Sequence, residues 1–236
     1  NDDGAMQSFC HAVPGKWCVF GCMLSAGGSL QWLRNTLMAR EVEALRARRK
    51  DPGELYPAML REAAEAPAGC EALVFLPYLT GERCPYPDPE ARGAWVGLTV
   101  RHGRNHLIRS VVEGITFGMR DQVELMRRRG VTVNEVRAGG GGAASDFWRQ
   151  MQADMYNARV VTINTRESAA FGVALLAAVG IGEYASVPEA CQAAIRVTKT
   201  VRPTKKALKA YGRLYPIYQS LYRSLRGDFR ALRGLA

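Results

Sequence analysis

Apolar positions recur along this chain in two rhythms, one near two residues and one near 3.6, and their order predicts an α/β domain. After the turn Val13-Pro14-Gly15, residues 16–23 are rich in β-formers and predict a strand. Ser25-Ala26-Gly27-Gly28-Ser29 then opens a helix with Leu30, Leu33, Leu37 and Val42 on one face and arginines on the other; Asp51-Pro52-Gly53 ends it. A short helix over 54–66 stops at Pro67-Ala68-Gly69, and a compact apolar strand follows at 72–76. Residues 77–93 read as a loop with four prolines, of a length usually functional or mobile, before another strand at 94–98. Leu107, Val111, Ile115, Gly118, Val123 and Met126 predict the longest helix, over 105–129, with Gly130 as its cap. From there the order is strand (133–138), glycine turn (139–142), helix (145–156), strand (159–163) and a small-residue helix (167–179). Such alternation predicts a partly parallel sheet. No element is predicted over 181–194. A connector strand at 195–201 leads to a last helix from about Thr204, with Tyr211, Leu214, Tyr215, Tyr218, Leu221, Tyr222 and Leu225 on one stripe. That stripe reads as packing surface rather than a base-stacking platform, and Pro216 predicts a kink.

Composition narrows this picture. The chain has 236 residues, 47% apolar and 23% charged, ordinary for a globular protein and incompatible with disorder or a fibre. The longest uncharged stretch of the C-terminal half, 168–182, is too short and too rich in Ala and Gly to span a bilayer. Six cysteines show no C-x-x-C spacing, and Cys18 and Cys22 on their apolar stretch read as buried, reduced thiols. A polar, acidic start (Asn1-Asp2-Asp3-Gly4) is unlike a signal peptide, and with the scattered cysteines it predicts a cytoplasmic location. The net charge of +10 suggests a nucleic-acid partner until it is located. From Arg196 to Ala236 the chain carries 11 basic residues and one acid, so that segment alone accounts for 11 − 1 = +10 and the rest is neutral. The excess therefore reads as a basic helix face and tail, and neither a nucleic-acid nor a membrane partner is expected.

Gly139-Gly140-Gly141-Gly142-Ala143-Ala144-Ser145 follows a strand and opens a helix, a geometry that lets backbone approach an anion and points free N–H groups at it. A P-loop is excluded, for no Lys ends the turn. A dinucleotide fingerprint is met by Gly139, Gly141 and Ala144, but the next strand ends at Asn164-Thr165-Arg166 without the ribose-binding acid; Arg166 would at most favour a 2′-phosphate. An actin-like or sugar-kinase-like nucleotide turn fits as well, and so does a tight turn with no ligand.

Other segments resemble one family. Gly93-Ala94-Trp95-Val96-Gly97-Leu98, a seven-residue spacer, His106-Leu107 and Ser110-Val111-Val112-Glu113 look like a signature of the FGGY carbohydrate kinases. The stretches 10–17 (from Cys10), 76–83 (from Leu76), 88–93 (from Asp88) and 148–154 (from Trp148) resemble the xylulokinase branch. The resemblance runs from about Phe9 to Leu225 and concerns the C-terminal half of such enzymes.

It implies a ribonuclease-H-like (actin-like ATPase) domain, a mixed sheet flanked by helices. Residues 1–236 would be a single domain, with a terminal amphipathic basic helix and tail over 204–236. By this likeness Gly27 faces the ATP phosphates, Gln31 lies near the ribose, and Gly140, Gly141 and Gly142 form the nucleotide turn. Ser145 lies beside the adenine, and Ala144 stands where many relatives carry Lys. The implied substrates are MgATP and D-xylulose, phosphorylated at its 5-hydroxyl; the implied partners are an N-terminal sugar-binding domain of the same protein and, in a homodimer, a second copy. The family's catalytic Asp and its phosphate-binding Gly-Thr belong upstream of Phe9, so no catalytic residue and no metal ligand is assigned here, and the chain alone is expected to be inactive. Three rival expectations are an NADP-type oxidoreductase domain, a basic nucleic-acid-binding domain and a degenerate partner that binds no nucleotide.

Overall fold

The computed structural model describes residues 5–235, and its strands fall into three small sheets. β1 (Gln7–Cys10) and β2 (Trp17–Phe20) form an antiparallel hairpin. β3 (Val74–Leu76) and β4 (Ala94–Val96) form a second antiparallel pair. β5 (Glu135–Arg137) and β6 (Arg159–Ile163) run parallel, and β7 (Val197–Val201) joins β6 antiparallel. The mixed sheet thus appears where strand and helix alternate: β5 is followed by α5 (Asp146–Tyr156), which crosses over and returns the chain to β6 in the same direction.

The helix predicted from Ser25 to about Lys50 is two helices, α1 (Ala26–Leu37) and α2 (Ala39–Ala47), broken at Met38 (φ −124°, ψ 32°). The break lets Met38 and Val42 both turn inward, which one continuous helix would not have combined with buried Leu30 and Leu33. α3 (Tyr56–Glu65) and α4 (Arg104–Arg128) follow prediction closely, as does α6 (Ser168–Gly180). An unpredicted helix, α7 (Val187–Ala194), fills the gap before β7. Its start is reciprocally capped: the Glu189 amide donates to the Ser186 hydroxyl at 3.3 Å, and the Ala185 amide donates to the Glu189 carboxylate at 2.9 Å. α8 (Lys205–Arg233), at 29 residues, is longer than α4 at 25, contrary to the sequence ranking, and it stays helical through Pro216.

The core joins α1, α3, α4, α5, β3 and α8 in one cluster. α8 supplies Tyr211, Leu214, Tyr215, Tyr218, Tyr222 and Phe229 to it, so the tyrosine stripe is packing surface as its spacing predicts. Each of the four buried tyrosines of α8 also finds a polar partner. Tyr211 donates to Glu113 at 3.0 Å, Tyr215 to Asp121 at 2.5 Å and Tyr222 to Asp88 at 2.8 Å, while Tyr218 and Tyr78 share a 3.1 Å bond. These bonds fix the register of α8 on α4, and they also anchor the proline-rich loop. That loop is not mobile in character: Tyr78, Glu82, Cys84, Asp88 and Ala91 are buried. The basic face of α8 reaches the same loop, with Arg226 3.4 Å from Asp88 and Arg230 3.7 Å from Glu90, and Arg233 paired with Glu90 as well. Part of the C-terminal charge is therefore matched within the chain.

Asp121 carries a pH signature. Burial pushes its carboxyl up to about 6, against the hydrogen bonds of Tyr215 and Gln219 and the charges of Arg128 and Arg120. A carboxyl that is harder to ionise folded than unfolded stabilises the native state at low pH and loses that contribution as pH rises through its folded value. Between pH 7 and 4.5 the native chain should therefore gain about 2 kcal/mol relative to Asp121→Asn, from roughly 1.5 units at 1.36 kcal/mol each. Urea midpoints of both proteins at the two pH values check this; parallel pH dependence would refute it.

Two surfaces stay uncovered. The hairpin is not packed on both faces: Phe9 and Trp17 are exposed, and so is Cys18, while Cys22 is half-buried. The expectation of buried thiols fails here, because a two-stranded hairpin has too little neighbouring structure to cover its side chains. α6 is apolar on every side, yet only Leu175 is buried, with Val173 and Leu176 in contact with solvent.

Candidate functional site: the glycine turn and its two cavities

The turn is built by the end of β5 and the start of α5. The Ala138 amide still donates to Val161 O at 2.8 Å, after which the chain leaves the sheet. Gly140 adopts φ +68°, ψ −165°, a region that only glycine enters without strain. A 3-10 turn, Gly141–Ala144, follows, with the Ala143 amide bonded to Gly140 O at 3.2 Å. Ser145 then caps α5, its hydroxyl accepting from the Trp148 amide at 3.3 Å. Trp148 is buried and donates its indole N–H to Thr116 at 2.9 Å, which ties α5 to α4. The Arg149 guanidinium bonds back to Ala143 O and to the Asp146 carboxylate, holding the turn closed.

A cavity of about 360 Å³ opens on one side, lined by Tyr56, Pro57 and Leu60 of α3 and by Gly141, Ser145 and Phe147. That size and apolar, aromatic lining suit a small planar ligand. A second, smaller and more polar cavity of about 240 Å³ also borders the turn, lined by Gly139 and Gly140 together with Thr162, Thr165 and Arg166. Ala144 borders both cavities.

The six residues singled out from sequence divide between these places. Gly141 and Ser145 line the larger cavity and Gly140 the smaller, while a Cβ on Gly142 would rest 3.4 Å from the Trp148 ring. Gly27 and Gln31 stand on the exposed face of α1 and line neither cavity. Tyr56, Pro57, Leu60 and Phe147 escaped sequence reasoning. The i, i+4 spacing of Tyr56 and Leu60 was visible, but not that this face of α3 meets a turn far along the chain. Among the described residues, no group of three or more His, Cys, Asp or Glu side chains gathers to hold a metal ion. Nor is any helix among them long and apolar enough to cross a membrane.

Comparison with known proteins gives these features a setting. Residues 3–181 match the FGGY family of carbohydrate kinases, C-terminal domain. The chain is 33% identical over 221 residues to a xylulose kinase of Staphylococcus epidermidis, covering 94% of the chain and 42% of that protein. It is also 31% identical over 223 residues to a gluconokinase of Bacillus subtilis, covering 94% and 43%. The solved structure of ligand-bound xylulose kinase from Lactobacillus acidophilus superimposes with a TM-score of 0.82 at 29% identity, over 97% of this chain and 44% of that one. The chain thus spans less than half the length of the relatives it matches, and its fold is that of the sugar kinases, with the actin-like ATPase architecture.

Proposed function

The chain belongs to the FGGY family of carbohydrate kinases, and we propose that it is the nucleotide-binding half of an enzyme that passes the γ-phosphoryl group of MgATP to D-xylulose. One observation carries the nucleotide part: a glycine turn with backbone open to a ligand, beside a base-sized cavity walled by Tyr56 and Phe147. The adenine would lie in that cavity against Ser145, and the turn would hold the adjoining sugar and phosphate through backbone amides. Magnesium would ride on the nucleotide's phosphates rather than on a carboxylate cage, in keeping with its habit of retaining water and binding few protein ligands.

Phosphoryl transfer needs positioning and charge stabilisation more than covalent chemistry from the protein. This chain supplies the nucleotide platform. Asp146, the carboxylate beside the larger cavity, is engaged by Arg149 and Lys199 and is not a free base. The base for the sugar hydroxyl would come from the N-terminal domain, whose docking would also cover the hydrophobic hairpin and α6. The 236-residue chain by itself is then inactive as a kinase. The sugar follows from the xylulose kinases among its relatives; the gluconokinase likeness makes gluconate the second reading.

Gly141→Leu tests the site directly. No atom lies within 4 Å of a Cβ built there, so the fold should tolerate leucine to within about 0.5 kcal/mol. The side chain would occupy the cavity instead, and calorimetric titration should show ADP affinity falling by about tenfold or more, roughly 1.4 kcal/mol per decade. Unchanged ADP affinity, or preference for NADPH over ADP by the unsubstituted chain, would sink the nucleotide assignment. For the full-length enzyme, ADP release with D-xylulose and with gluconate decides the sugar.

A further inference from the structure

We propose that the smaller cavity beside the glycine turn is an oxyanion site that takes a phosphate-type dianion. It lies beyond the carboxyl ends of the parallel strands β5 and β6, walled by the turn, the segment 162–166, and Thr198 and Lys199 of β7. Three cations line it, Arg149, Arg166 and Lys199. Asp146 is the carboxylate they meet: it pairs with Arg149 and lies 3.2 Å from the Lys199 ammonium. Three cations against one carboxylate leave an excess of two positive charges, the complement of a dianion. Glu167 follows Arg166 in sequence but does not line the cavity.

The donors are arranged for oxygen. Arg149 is only 3% exposed and its Nε has no hydrogen-bond partner, a buried donor that the protein leaves unused. Arg166 makes no ion pair or side-chain hydrogen bond among the described residues, so its guanidinium is available for bidentate binding. The amides of Gly139 and Gly140 reach no backbone acceptor among the described residues, and two successive free N–H groups form an anion-binding concavity. Thr162 and Thr198 add hydroxyls, 3.0 Å apart and able to turn toward a ligand. No carboxylate lines the cavity, so a cationic ligand finds no counterpart there.

The site goes beyond the nucleotide reading, since its lining shares only Ala144 with that of the base cavity, and the two can fail separately. Inorganic phosphate, titrated at constant ionic strength into the ¹⁵N-labelled chain, should move the Gly139, Gly140 and Thr165 amide signals saturably. Arg166 and Lys199 are exposed, so the double variant Arg166→Ala/Lys199→Ala should keep its melting temperature while binding phosphate about tenfold more weakly or worse. No saturable shift at these amides, or equal affinity in the folded double variant, overturns the proposal. Adenosine, which carries no phosphate, should move Tyr56, Ser145 and Phe147 equally in both proteins; its failure alone would count against the nucleotide reading and not against this site. ADP then separates the sources of the oxyanion. Displacement of phosphate by ADP assigns the site to the nucleotide's own phosphate, and simultaneous binding assigns it to a separate anionic ligand.

Discussion

Replacing Arg109 by alanine should lower the unfolding free energy by about 3–5 kcal/mol, the cost typical of breaking a buried ion pair from one side. Arg109 and Glu113 sit one turn apart on α4, 6% and 2% exposed. The guanidinium donates to Glu113 at 2.7 Å, to Ala66 O at the end of α3 at 2.6 Å and to Tyr211 of α8 at 2.9 Å, and it lies over the Phe147 ring of α5. Burial works to lower its pKa, but the Glu113 carboxylate and Tyr211 outweigh this and hold the charge in place. One side chain thus connects four helices. Its loss strands the Glu113 carboxylate in the core, with only the Gly69 amide and the Tyr211 hydroxyl as donors. Urea unfolding followed by far-UV dichroism measures the effect, and a loss below about 1 kcal/mol would contradict it. The double variant Arg109→Met/Glu113→Gln, which leaves no lone charge behind, should lose less than the single change.

Gly114→Ala should cost about 3 kcal/mol, although alanine is the better helix former by about 1 kcal/mol. Gly114 lies where α4 crosses β3, and a Cβ there would overlap the Phe75 carbonyl oxygen and stand 3.2 Å from its carbon. The obstacle is backbone, so the helix must move off the strand. For a chain of this size the melting temperature should fall by roughly 6–12 °C. Gly227→Ala on α8, where no atom lies within 4 Å of the added Cβ, is the control and should be neutral or slightly stabilising. Equal behaviour of the two variants would mean that helix propensity, not close packing, decides at Gly114.

Local patterns carried far in this protein. The stripe of α8, the amphipathic α3 and α4, the strand β6 and the turn after β5 all lie where spacing and turn chemistry place them. Each is a property of neighbours in sequence, written as a period or a cap. α7 was equally legible, for Ser186 and Glu189 carry the capping pattern and Pro188 suits a first helical turn, but its short length hid it. The break at Met38 was not legible, because both halves have good helical spacing and only the core decides that Met38 and Val42 must face inward together.

What sequence alone determined is the inventory: most helices and strands, a glycine turn between a strand and a helix, a basic C-terminal segment and membership of a kinase family. What only tertiary structure decided is which of these meet. The face of α3 bearing Tyr56 closes a cavity over Gly141 and Ser145; Arg149, Arg166 and Lys199 converge from a helix, a loop and a strand; the phenols of α8 find their carboxylates on α4 and in the proline-rich loop. Gly27 and Gln31, by contrast, stay apart from both cavities. The physical reason is range: propensity and periodicity act over a few residues and are printed in local order. A cavity's lining and a buried charge's partner depend on how whole elements pack, and nothing in the spacing of distant residues encodes that.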